Sequence, residues 1–260
     1  MTVAVTGILC RTSDRTVLGS QGAEALARAL SKRVGVRPTL HGTPGQVRDG
    51  YWEQDLAEAQ DCLRDTKDGL ERVLSEHGFP VLVACDCTLA LATLPALARA
   101  RPDAWVLWID AHGDFNSPDT TTSGYLAGMA LAGACGIWET GMGIGPHPSR
   151  VVLCGARALD PDERNLLDAS AVRRVPPERA GALVRGKPLY VHLDLDVLDP
   201  SVLPGSAFPV PGGLGEDQLT ALLREVAEGA EVVGCEICAL TAPELAGRMA
   251  ELVTPLVAGR

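Results

Sequence analysis

The stretch VLVACDCTLALA, Val81–Ala92, joins an apolar run to a helix-like run through Cys85-Asp86-Cys87. A strand that is apolar throughout, rather than at alternate positions, is buried on both faces. That marks a parallel sheet covered by helices. The pattern recurs in VAVTGILC (3–10), AWVLWIDA (104–111), RVVLCGA (150–156), PLYVHLDLD (188–196) and EVVGCEICAL (231–240). Between these runs lie helix-like segments at Ala23–Arg33, Asp55–His77, Leu89–Arg101, Ser123–Ala134, Gly215–Glu228 and Pro243–Ala258. Strand and helix in alternation predict an α/β fold with a mostly parallel central sheet and helices on both faces. No linker, repeat or low-complexity segment interrupts the pattern, so residues 1–260 read as one domain.

A formal charge of −10 argues against nucleic acid or an anionic membrane as partner. No apolar run approaches membrane-spanning length, and MTVAVTGILC reads as a first strand rather than a signal peptide. The eight cysteines are spread through a long chain. Cys10, Cys62, Cys135, Cys154 and Cys235 sit in apolar or helix-like surroundings, where a free thiol acts as a small hydrophobe. The expectation is reduced thiols in a cytoplasmic protein. Cys235-Glu-Ile-Cys238 has the C-x-x-C spacing but lies in a strand pattern, without the turn and helix of a redox motif.

In open parallel sheets, ligands gather beyond the carboxyl ends of the strands. There the strand WVLWI runs into Asp110-Ala-His112-Gly-Asp114, and PLYVHL into Asp194-Leu-Asp196, followed by Asp199. In extended chain alternate side chains point one way, so each set can converge. Four carboxylates from two strand ends would repel one another unless a cation lay between them. A single Asp at a strand end more often caps a turn, but two such sets in one chain point to a two-metal site. Oxygen donors with one imidazole suit Mn²⁺ better than zinc.

The segments DAHGDFNSP…TTTSG (110–124) and DLDVLDPS (194–201) resemble the two central metal signatures of the arginase/agmatinase family, the ureohydrolases. GARALDPDE (155–163) looks like a third family segment, and PVPGGL (209–214) follows as in relatives. The resemblance implies a three-layer arginase-like fold, a pair of Mn²⁺ ions and hydrolysis at a guanidino carbon. On it, Asp110 and Asp194 bridge the ions and hold a metal-bridging hydroxide as nucleophile. Asp114 completes one ion, while His112 and Asp196 complete the other. Asn116 and Ser123 match positions that hold a substrate α-carboxylate. Asp160 and Glu163 match those near the α-amino group, so a guanidino amino acid is implied rather than agmatine. A homo-oligomer stays open, since relatives often form trimers or hexamers.

The departures gather at the reacting end. Cys87 stands where relatives have a metal-ligating histidine, Ala127 where they have the proton-shuttle histidine, and Ala239 where a glutamate grips the guanidinium. Phe208 aligns with a nearby threonine. Sulfur is a poor partner for Mn²⁺, so the ion beside Cys87 is expected to be loosely bound. An N-hydroxyguanidine, as in Nω-hydroxy-L-arginine, would suit such a site. Its N–OH oxygen can displace the bridging hydroxide of a tight two-metal site, and its lower basicity makes a carboxylate clamp less necessary. Two other readings stay open: an arginase or other guanidino-compound hydrolase, and a non-catalytic relative. Cys87 could also be a plain core thiol, with Cys85 facing the opposite side. A nucleophilic Cys87 lacks an evident base. His147 or His192 could replace the missing shuttle, though His192, inside a strand, reads better as a core or supporting residue. His41 and His77 carry no signal.

Overall fold

The computed structural model describes residues 2–260. Eight strands are described: β1 Val3–Ile8, β2 Thr39–His41, β3 Phe79–Val83, β4 Trp105–Ile109, β5 Val151–Cys154, β6 Arg173–Val175, β7 Pro188–Asp194 and β8 Glu231–Cys238. They form one sheet in the order β2-β1-β3-β8-β7-β4-β5-β6, and every pairing is parallel. The helices are α1 Leu18–Val34, α2 Trp52–Ser75, α3 Ala90–Ala100, α4 Ala130–Ala134, α5 Pro161–Ala169, α6 Pro177–Val184, α7 Glu216–Gly229, α8 Ala246–Leu252 and α9 Thr254–Val257.

Two cores lie on the two faces. Leu26 and Leu30 of α1, Val184 of α6 and Leu219 and Leu223 of α7 pack on one, against Val81, Leu107 and Val191. Leu63 of α2, Leu91 and Leu94 of α3 and Leu131 of α4 pack on the other, against Leu82, Val106 and Tyr190. The strand residues divide by the period of two that a pleat dictates. The expected three layers are therefore present.

The C-x-x-C pair is divided by the same rule. Cys235 and Cys238 are three residues apart and fall in opposite cores, so they do not face each other. Cys85 and Cys87 likewise occupy different cores.

Several elements differ from expectation. Ser123–Ala134 is not one helix: Ala127–Met129 is a 3₁₀ turn, only Ala130–Ala134 is α-helical, and Ser123 lies in a loop. Pro243–Ala258 is three pieces, a 3₁₀ turn at Pro243–Leu245, then α8 and α9. Strands β2 and β6 are three-residue sheet edges, too short to leave an apolar run. Cys10 and Cys62, expected as free thiols, are disulfide-bonded, tying the end of β1 to α2 across 52 positions. Periodicity along a chain carries no trace of such a pairing.

Candidate metal centre

The site is built on the face of the sheet that α2, α3 and α4 cover, at the carboxyl ends of β3, β4, β7 and β8. Two cross-strand rows set it out. Trp108, His192 and Glu236 lie side by side on β4, β7 and β8. Two residues on, Asp194 lies beside Cys238, and Asp110 leaves the end of β4. Positions two apart share a face, so one row stands directly behind the other.

Around Asp110 five of the predicted ligands separate into two sets, and Asp194, beside Cys87, falls in neither. Donor atoms of Cys87, Asp110 and Asp114 lie within 4.8 Å of one another, and so do those of Asp110, His112 and Asp196. Cys87 Sγ is 3.0 Å from Asp194 Oδ2 and 3.9 Å from Asp110 Oδ2. His112 Nδ1 is 3.0 Å from Asp196 Oδ2 and 3.5 Å from Asp110 Oδ1. Asp110 thus belongs to both sets.

Backbone and indole groups aim these carboxylates. Trp108 Nε1 donates to Asp110 Oδ2 at 3.0 Å, the Asp196 amide to Asp194 Oδ1 at 2.7 Å, and the Ala111 amide to Asp196 Oδ1 at 3.2 Å. Asp114 takes a left-handed φ of 48°, and its carbonyl accepts from the amides of Leu131 and Ala132 at the start of α4. Such backbone geometry, which Asp tolerates better than most residues, collects at functional sites.

Charge at the site suits a divalent cation. Burial, then the neighbouring Asp110, pushes Asp114 well above the usual carboxylate range. Burial, then Asp196, raises Asp194 to about 7. For His112 burial acts downward, but Asp110 and Asp196 outweigh it and raise the imidazole to about 12. Buried like charges at this spacing are stabilised by divalent cations, and the mainly oxygen donor set fits hard ones.

The predicted site residues other than Asp110 all line one cavity of about 430 Å³. Asp110 lies behind them, 1 % exposed. The span to Asn116, Ser123 and Asp160 suits a small ligand. Glu163 Oε1 accepts from the Phe115 amide at 2.9 Å, and Oε2 from the Asp160 amide as the capping box of α5. Burial raises Glu163 to about 7. Gly113 makes this possible, because a Cβ there would lie 2.6 Å from Glu163 Oε1. Ala127, Phe208 and Ala239 line the same cavity, so the departures do face the ligand space.

Other residues are not in the site. Asp199 accepts from Ser201, Gly212 and Gly213 and is a turn anchor, held at about 2 by those bonds. His147 is bonded to Ser149 and does not line the cavity.

Some functional candidates escaped the sequence reading. Asp14, Arg15 and Thr16, between β1 and α1, line the cavity but carry no motif. Asp86 binds Thr12, Ser13 and Thr88, which ties that loop to the end of β3. His192, by contrast, is the expected core or supporting residue: it is fully buried, with its Nε2 3.3 Å from Cys87 Sγ. Glu236 stands behind His192. Its alternation with Cys238 on β8 was the one available signal.

The Arginase family model matches residues 2–258. The chain belongs to the arginase family. It is 38 % identical over 252 residues to the N(omega)-hydroxy-L-arginine amidinohydrolase of Streptomyces lavendulae, covering 95 % of this chain and 92 % of that one. It is 34 % identical over 164 residues to the arginase of Bacillus subtilis, covering 56 % and 55 %. The crystal structure of the Bacillus cereus arginase superposes with a TM-score of 0.87 at 23 % identity, covering 100 % of this chain and 99 % of that one. The proclavaminate amidino hydrolase of Streptomyces clavuligerus superposes at 0.71, covering 98 % and 91 %, with 20 % identity. At these identities the superpositions establish the fold alone. As a family member the protein is a hydrolase of linear amidines.

Proposed function

We propose that this arginase-family protein is a manganese-dependent amidinohydrolase that converts Nω-hydroxy-L-arginine and water to L-ornithine and hydroxyurea. The observation that carries the reading is Cys87 in the first ligand set, together with Ala239 in the cavity wall. Asp110 and Asp194 would hold both cations, Cys87 and Asp114 the first, and His112 and Asp196 the second. When bound, such a pair supplies a nucleophile near neutral pH by lowering the pKa of water.

The remaining work falls to the chain. Asn116 and Ser123 are assigned the substrate carboxylate, and Asp160 and Glu163 its amino group. The amino acid end is thereby anchored while the guanidino carbon faces the Asp110–Asp194 pair. Apolar Ala127 and Ala239 leave room, without a competing charge, for the hydroxyl and its weakly basic guanidine. The pattern of departures resembles that of the hydroxyarginine amidinohydrolase of D-cycloserine biosynthesis, and on that resemblance the reaction serves antibiotic synthesis.

Competition between equal concentrations of arginine and hydroxyarginine, with Mn²⁺ supplied, tests the proposal. Hydroxyurea release should far exceed urea release. Equal or reversed preference would mark the protein as an arginase or another guanidino hydrolase, and no turnover of either would overturn catalysis.

A further inference from the structure

We propose that Cys87, Cys238 and His192 form a second kind of metal site, selective for a thiophilic cation of the zinc type, which shares only Cys87 with the carboxylate set. It goes beyond the hydrolytic reading and does not depend on which guanidino compound is cleaved.

The donors come from three segments. His192 and Cys238 face one way from β7 and β8, and Cys87 reaches across from the turn between β3 and α3. Their donor atoms lie within 4.8 Å of one another, and the side chains are 0 %, 1 % and 3 % exposed.

The imidazole is held in the orientation a metal needs. Its Nδ1 lies 2.6 Å from Glu236 Oε1. A carboxylate there accepts a hydrogen bond from Nδ1–H, so Nε2 turns its lone pair toward the sulfurs. Glu236 is itself fixed by the Tyr190 hydroxyl at 3.2 Å, and the ring stacks on Trp108 at 3.4 Å and 8°. A carboxylate behind a histidine is the usual support for a metal ligand. Two sulfurs and one imidazole are zinc donors, whereas the neighbouring oxygen set suits harder ions. A water can complete four-coordination. Cys87 lines the cavity, which gives the ion a way in.

The plain alternative is two core thiols beside a hydrogen-bonded histidine. Packing alone does not call for that arrangement, since apolar residues in place of a buried imidazole–carboxylate pair are often as stable. Cys87 cannot serve both sets fully. Zinc should therefore withdraw the thiolate from the first hard-ion position and leave the His112–Asp196 position intact.

Co²⁺ titration into the metal-free full chain tests this. The protein is handled without oxygen and without added thiol, so that Cys10 and Cys62 stay paired. The expected result is a near-ultraviolet thiolate-to-cobalt band that saturates at one equivalent and is abolished by one equivalent of Zn²⁺. Cys238→Ser should halve its intensity and His192→Gln should weaken Zn²⁺ retention at least about 10-fold. Cys235→Ser, on the opposite face, should leave the band intact. No band in the unaltered protein overturns the proposal whatever the variants do. A band unchanged in Cys238→Ser, with a normal melting curve, assigns the thiolate to Cys87 alone and overturns it equally.

Discussion

Cys87 Sγ lies within 4 Å of the two carboxylates that would bridge the cations, where the family resemblance implies an imidazole. Burial and the hydrogen bond to Cys238 push its thiol well above the usual range, so it meets a hard ion poorly as thiol and as thiolate. Cys87→His should raise Mn²⁺ retention by about 10–100-fold. The same change should move the hydroxyarginine-to-arginine rate ratio toward arginine. Dialysis followed by metal analysis, beside the two rates, would check it; unchanged retention would remove Cys87 from the ligand set. Asp14 yields a pH prediction. Burial, then Asp86, raises its carboxyl from 3.8 to about 7. Folding thus favours the protonated form, and its contribution is complete below about pH 3.8 and lost as pH rises through about 7. Relative to Asp14→Asn, the metal-free protein should lose stability over that window, as read from urea midpoints. A parallel pH course in the two proteins would contradict it. At this scale the ligands were legible because D-A-H-G-D and D-L-D carry a period of two at apolar strand ends. Asp14 was not, because it reaches the cavity through a loop whose path depends on Asp86 holding Thr12 and Ser13.

Among the elements, the contact of α1 with the segment after β8 decides the shape of the reacting end. A Cβ at Gly22 would lie 1.6 Å from the Leu240 carbonyl oxygen, so helix and loop touch through backbone. Ala239, beside Leu240, takes a left-handed φ of 66° and lines the cavity. Gly22→Ala should therefore cost at least about 2 kcal/mol, seen as a lower melting temperature, and should depress turnover by displacing Ala239. A variant as stable and active as the parent would show that the contact is slack. The long runs gave away β3, β4, β5, β7 and β8, and α1, α2, α3 and α7 fell within a few residues of expectation. Edge strands β2 and β6 stayed hidden because one polar-sided triplet leaves no periodic signal. The Ser123–Ala134 segment misled because an apolar, alanine-rich composition favours helix locally, while its first half is drawn out to line the cavity.

Over the whole molecule the proposed metal centre would act on stability as well as on catalysis. Buried carboxylates that repel one another weaken the fold until a cation joins them. Mn²⁺ at about 100 times its dissociation constant should add about 2.7 kcal/mol. Thermal unfolding with chelator and with Mn²⁺ would show it, and coincident curves would mean that the folded state binds no ion. The sheet order has a further consequence. β8 follows the other seven described strands along the chain, yet it is inserted between β3 and β7, and neither of those pairs with the other. Until it arrives, the nascent chain holds two half-sheets, each with a raw inner margin of unsatisfied amides and carbonyls. Cys87 from one half and the aspartates from the other thus meet only once β8 is in place, and until then those margins are open to the wrong neighbour.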